Sequence, residues 1–185
     1  MLDKGSRLLL LLLPLSACTK MSSAPPANPE ALKTTYTYDI TDYGADKTCA
    51  TDSTAAINKA LAAAALVNGV AYFPAGCFLV SDALTLPAKS ASQQTDFSKA
   101  AAIVGDGADT TIIKVSPTFN LSAAGVFVLT QNILYTHGAR IEGLSIVFTQ
   151  PDSSNIADLT HYPVAINING ASRAEIKSVN LWDAW

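Results

Sequence analysis

Fifteen carboxylates and two histidines give this 185-residue chain its capacity for acid–base chemistry. Two carboxylates flanking one bond can serve as acid and base, so any pair brought together is a candidate. Asp106 and Asp109 sit in the turn Gly105-Asp106-Gly107-Ala108-Asp109, where aspartate commonly bonds its own backbone, and a turn role is the better reading. Thr51 or Asp52 precedes an alanine-rich run and is placed to accept from the first amides of a helix. Asp152 and Asp158 stand beside Ser153, Ser154 and Asn155, the composition of a solvated loop, although such a loop can line a sugar groove. His137 and His161 are isolated and match neither metal-site nor triad spacing. Trp182, Asp183 and Trp185 either form a sugar-stacking platform or pack against further strands. No residue is assigned as catalytic, and no metal site or cofactor motif is evident.

The elements that would position these groups form one domain. Hydrophobic residues make up 49% of the chain and charged residues only 15%, enough for one real core. The net charge is −3 and the basic residues are scattered singly, which excludes a nucleic-acid footprint. At the N-terminus, Lys4 and Arg7 precede the apolar run Leu8 to Leu15, too short to span a bilayer, and then Leu15-Ser16-Ala17-Cys18. This resembles the bacterial lipoprotein signal, which implies removal of residues 1–17, lipidation of Cys18 and an exported protein. Thr19 in place of aspartate implies sorting to the outer membrane. The membrane is then a partner through the lipid anchor only. Residues 18–35, rich in proline and small polar residues, read as a tether.

From residue 36 the periodicities change. A strand is expected at Tyr36 to Ile40, then a glycine turn at Tyr43-Gly44-Ala45, and then a helix running to Gly69. Ile57, Ala60, Leu61 and Ala64 fall on one shallow apolar face suited to close approach to strands. A strand at Val70 to Phe73, the turn Pro74-Ala75-Gly76, a strand at Phe78 to Val80 and a polar loop at Ala88 to Lys99 follow. Six short strand candidates come next: AAIVG, TTIIKVS, AGVFVLT, ARIEGLSIVF, PVAINI and AEIKSVNLW. Isoleucines 103, 141 and 176 each lie two places after an alanine and two before a small residue, which marks a strand repeated with loops of variable length. Stacked in that register, Arg140 faces Glu175 and Glu142 faces Lys177 on the outside, while Ile141 and Ile176 point inward.

Five motifs occur in order between residues 42 and 113. They are Asp42-Tyr43-Gly44-Ala45, Asp52-Ser53-Thr54-Ala55-Ala56-Ile57, Val70 to Phe78 through Pro74-Ala75-Gly76, Gly105-Asp106-Gly107, and Thr110-Thr111-Ile112-Ile113. This pattern resembles the N-terminal region of the pectate lyase superfamily, its rhamnogalacturonase and epimerase-like group. The resemblance implies an all-β solenoid, a right-handed single-stranded parallel β-helix with an N-terminal capping helix. Asp42, Gly44, Asp52, Thr54, Pro74, Gly76, Gly105 and Gly107 become its fold-motif residues, and Asp46 goes with them. Lys47, Thr48 and Cys49 depart from the usual Gly-Asp-Gly, and Cys77 replaces a threonine. With two unexpected cysteines in the cap of an exported protein, a Cys49–Cys77 disulfide is expected, stabilising it by about 2–4 kcal/mol.

Glycosidases of this fold carry paired or triple aspartates on neighbouring coils, and its lyases carry an acidic calcium site with a basic residue nearby. Neither constellation is found in this sequence, and calcium is implied only for a lyase. The expectation is the N-terminal part of a surface-anchored carbohydrate-active protein that acts on or binds acidic polysaccharide. Its catalytic coils are absent and its stack is incomplete at the C-terminus. The alternative is a non-catalytic glycan-binding or adhesin scaffold of tailspike shape. Paired aspartates in further coils would favour the first.

Overall fold

In the computed structural model, which describes residues 36–88, 101–130, 139–151, 155–170 and 174–184, the alternation of the strands becomes an inside and an outside. Residues 1–35, with Cys18, and also His137, Asp152, Trp185 and residues 89–100 of the polar loop, lie outside the described residues. In β3 (Val70–Phe73), Ala71 and Phe73 are fully buried and Val70 and Tyr72 face outward. In β4 (Gly76–Val80) and β7 (Thr111–Val115), Phe78, Val80, Ile113 and Val115 are buried, and Lys114 is exposed between two of them.

The chain winds through three stacked faces. The first is built of β1 (Thr37–Asp39), β3, β6 (Ala102–Gly105) and the first half of β9 (Ala139–Phe148). The second is built of β2 (Thr48–Asp52), β4, β7 and the second half of β9. The third holds β5 (Leu84–Leu86), β8 (Phe127–Thr130) and β10 (Ile166–Asn169). The last strand, β11 (Ala174–Trp182), lies along both halves of β9. All these pairings are parallel and the described residues hold one α-helix, consistent with a right-handed β-helix.

The register agrees with the repeat seen in the sequence: Ile103 pairs with Ile141, and Ile141 with Ile176. Ile176 shares the inward row, yet it is 52% exposed because no described coil lies over it. Within β9 the alternation changes parity. Ile141 faces in, and after Gly143, at φ +70°, Leu144, Ile146 and Phe148 face in. Ser178 repeats this left-handed step one coil later, at φ +50°, in line with Gly143. One left-handed residue turns the strand from the first face to the second without a loop. A coil earlier, Gly105 lies against this corner, and a Cβ on it would stand 2.2 Å from the Gly143 carbonyl oxygen. Gly105→Ala is therefore expected to destabilise the fold by about 1–3 kcal/mol, read as a lowered urea midpoint.

Helix α1 (Thr54–Val67) buries Ile57, Ala60, Leu61 and Ala64, the face read from the sequence, and packs on β1, β3 and β5. The Asn58 amide fastens it to β5, donating to the Ala83 carbonyl at 2.9 Å and accepting from the Thr85 amide at 2.7 Å. Both helix ends differ from expectation. The N-cap position is Ser53, one residue past the expected Asp52, because the Ser53 amide is drawn to the Leu79 carbonyl of β4 at 2.8 Å. Asp52 nevertheless accepts from the Thr54 amide at 3.0 Å. At the other end Asn68, not Gly69, takes the left-handed conformation, which asparagine tolerates.

The first strand is shorter than expected, and the glycine turn is the end of a 3-10 turn, Ile40–Tyr43, closed by Gly44 at φ +94°. Strands β2 and β5 are additions that the sequence reading did not contain.

Candidate functional site: the outer faces of the coils

The expected charge ladder occupies the outer side of the first face. Asp39, Tyr72, Val104, Glu142 and Lys177 follow one another in register, with Arg140 opposite Glu175 in the neighbouring row. Successive members stand about 4.8 Å apart, the spacing of hydrogen-bonded strands. The close ion pair runs along β9, however. Arg140 Nη1 meets Glu142 Oε1 at 3.5 Å, since residues i and i+2 of a strand share a face.

The carboxylates at the N-terminal end of this face are taken up by backbone. Asp39 accepts from the Thr41 amide at 2.9 Å and the Thr41 hydroxyl at 2.7 Å. Asp46 gathers a whole loop. One oxygen accepts from the Thr48 amide (2.9 Å) and hydroxyl (2.6 Å), and the other from the amides of Ala50 (3.0 Å) and Thr51 (2.7 Å). Hydrogen bonds from Thr48, then from Thr51, hold the Asp46 carboxyl far below the usual carboxylate range. At Asp52 partial burial raises the pKa, but hydrogen bonds from Ser81 and Thr54 outweigh it and the net shift is downward.

Asp106 accepts from the Tyr72 hydroxyl and from the Ala75 amide at 2.8 Å, a turn role like the one read from the sequence. Burial first, then the hydrogen bond and charge of Asp106, push the Tyr72 phenol up to about 12, so it remains a donor at neutral pH.

Asp46 and Asp52 both titrate below the unfolded value near 3.9. A depressed folded pKa adds stability above the unfolded value that is lost as pH falls through the folded one. Urea midpoints are expected to drop as pH is lowered from about 5 to about 2, and Asp46→Asn should be weaker at pH 7 with a shallower acid slope. A wild-type midpoint that stays level over that range would contradict this assignment.

An open cleft of about 480 Å³ lies between Asp39, Asp46, Lys47, Thr48 and Pro74, but its two carboxylates are the ones already bound to backbone. The remaining fold-motif residues are structural in the same sense. The Thr54 hydroxyl donates to Asp52 at 2.6 Å and accepts from the Ser81 amide at 2.9 Å. The Gly76 amide donates to Thr110 and the Gly107 amide to Gly143. Asp42 is exposed on the 3-10 turn. Cys49 and Cys77 form the expected disulfide, with Cα atoms 5.0 Å apart. Asp109 and His161 are exposed, and Asp158 ends a second 3-10 turn, Ile156–Asp158. Among the described residues no three His, Cys, Asp or Glu side chains converge as a metal site.

Trp182 is on the outside. It pairs with Val147 and continues the row Leu79, Lys114, Val147 on the outer side of the second face. Three residues of this outer surface were missed in the sequence: Tyr72, Lys114 and Gln150. The signal for the first two was their alternation, each lying between inward apolar neighbours; Gln150 had none, because its partners are distant in the chain.

The coils stack in parallel and carry outward rows of polar and aromatic side chains. The family model described as rhamnogalacturonase A/epimerase, pectate lyase-like matches residues 37–181, and the chain belongs to that family. No curated protein matches the chain. Among solved structures it is similar to ORF18 of Geobacillus virus E2, at 22% identity and a TM-score of 0.47. That match covers 80% of this chain and 24% of the viral one, so this chain spans about a quarter of its length.

Proposed function

We propose that residues 36–185 are the front coils of a carbohydrate-active protein that acts on or binds acidic polysaccharide, held at the outer membrane by lipid on Cys18. The observation that carries this reading is the family match over residues 37–181, on coils whose outer rows are open to solvent. In this reading α1 closes the N-terminal end of the stack. The opposite end favours addition of further coils, since Ile176 and Leu181 lie in the inward rows but are 52% and 51% exposed. Export is supported by the Cys49–Cys77 disulfide, a bond that persists in oxidising compartments. Among the described residues no helix is long and apolar enough to cross a membrane, and several acyl chains on one cysteine would suffice to anchor the protein.

Asp39, Asp46, Asp52 and Asp106 hold turns, and in this reading the segment binds and presents the polymer. Strand spacing sets the repeat of contacts along it. Affinity electrophoresis of the full chain tests the reading. Retardation is expected in calcium-free gels containing polygalacturonate and not in gels containing dextran, whereas equal mobility in both would overturn it.

A further inference from the structure

The outer side of the second face carries a combination of side chains that the reading above does not use. Lys114 stands between the fully buried Ile113 and Val115, so its side chain leaves the stack, and among the described residues it makes no ion pair. One coil on, Val147 is its neighbour, between the buried Ile146 and Phe148. A further coil on is Trp182, 56% exposed. The adjacent row brings Ile112, Ser145 and then Asn180 into register, with no charge among them; Ser145 is buried, its hydroxyl donating to the Ala108 carbonyl, so Ile112 and Asn180 are the partly exposed members of this row. The result is an apolar floor of Ile112 and Val147, with an indole at one end, a lone ammonium at the other, and the half-buried Asn180 amide beside the indole.

The backbone that follows the indole is tied to a neighbouring loop. Immediately after Trp182, the Asp183 carbonyl accepts from Gln150 Nε2 at 3.1 Å. The same amide group donates to the Thr160 carbonyl at 3.0 Å and accepts from the Thr160 amide at 2.9 Å. Gln150 thereby ties the backbone after Trp182 to the loop beside it. The outward direction of Trp182 is a consequence of the left-handed step at Ser178. Strict alternation from the inward Ile176 would have turned Trp182 into the core.

We infer that this surface is a subsite for an acidic sugar. The apolar face of a pyranose stacks on the Trp182 indole, its hydroxyls bond the Asn180 amide, and the carboxylate of that sugar or the next meets the Lys114 ammonium. Trp182 and Lys114 are two strand spacings apart, about 10 Å, a span that the lysine stem shortens. A tryptophan supplies large apolar contact area with a polar edge, as a sugar face requires. The lysine confers the preference for a uronate over a neutral sugar. The inference rests on the polysaccharide-binding reading above and adds to it the place and the charge selectivity.

The chain has two tryptophans, so Trp185→Phe leaves Trp182 as the single emitter. Titration of that variant with trigalacturonate in calcium-free buffer is expected to quench its fluorescence saturably. Trp182→Ala should weaken retention in polygalacturonate gels about tenfold or more. Lys114→Gln should remove the preference for trigalacturonate over a neutral galactose trimer, and Lys114→Arg should restore it. Matching thermal melts by circular dichroism establish that each variant is folded. Undiminished retention of folded Trp182→Ala and Lys114→Gln would overturn this subsite and leave the polysaccharide reading intact. Failure of the wild-type chain to bind any acidic polymer would remove both.

Discussion

Reduction of the Cys49–Cys77 disulfide is expected to lower the unfolding free energy by about 3–4 kcal/mol. The two cysteines are 28 residues apart, and closing a loop of that length removes substantial entropy from the unfolded chain. The bond also holds the least regular strand of the fold. β2 pairs with β4 only at Thr48 with Cys77 and Asp52 with Leu79, the register shifts between them, and Cys49 itself sits at φ +60°. With so few ladder hydrogen bonds, β2 depends on the disulfide and on the Asp46 loop to remain on the stack. Urea unfolding of the full chain with and without reductant measures the effect, and the Cys49→Ser, Cys77→Ser double variant should reproduce the reduced midpoint. Equal midpoints in all three cases would show that the cross-link contributes nothing to this fold.

The second large effect is at Phe73. Its ring, from the first face, meets Phe78 from the second at 6.2 Å and Phe127 from the third at 6.2 Å, both edge to face. All three are fully buried. Edge-to-face pairs add to the burial of each ring, so Phe73 couples the three faces at the centre of the core. Phe73→Ala is expected to cost about 3–5 kcal/mol, and Phe73→Leu distinctly less, because leucine refills part of the cavity. Calorimetric melts would check this; a melting temperature within a degree or two of wild type for Phe73→Ala would contradict the three-faced core.

Strands that bury one side were legible in the sequence because apolar alternation is a local signal. The six candidates from AAIVG to AEIKSVNLW all became strands, and three isoleucines were enough to fix the register of the first face. Ile57, Ala60, Leu61 and Ala64 marked the helix face for the same reason. The sequence was silent where a strand has no apolar side or too few residues. β2 reads TCATD, mostly exposed, and β5 is three residues long.

Side-chain partners were less legible than register. Arg140 and Glu175 face each other as expected, but Arg140 chooses Glu142 along its own strand, a choice of rotamer that no repeat encodes. Trp182 was ambiguous between platform and core because the parity change at Ser178 is a backbone event at a serine, a residue seldom found at positive φ. The disulfide came into view only through the family pattern, against which Cys49 and Cys77 were the unexpected residues.

We propose above that an acidic polysaccharide lies along the outer side of these coils. Hydrogen–deuterium exchange of the full chain, with and without trigalacturonate in calcium-free buffer, addresses it most directly. Slowed exchange is expected, confined to β7, the second half of β9 and β11, with α1 unchanged. Protection of α1 alone, or no change on those three strands at saturating oligosaccharide, would contradict it.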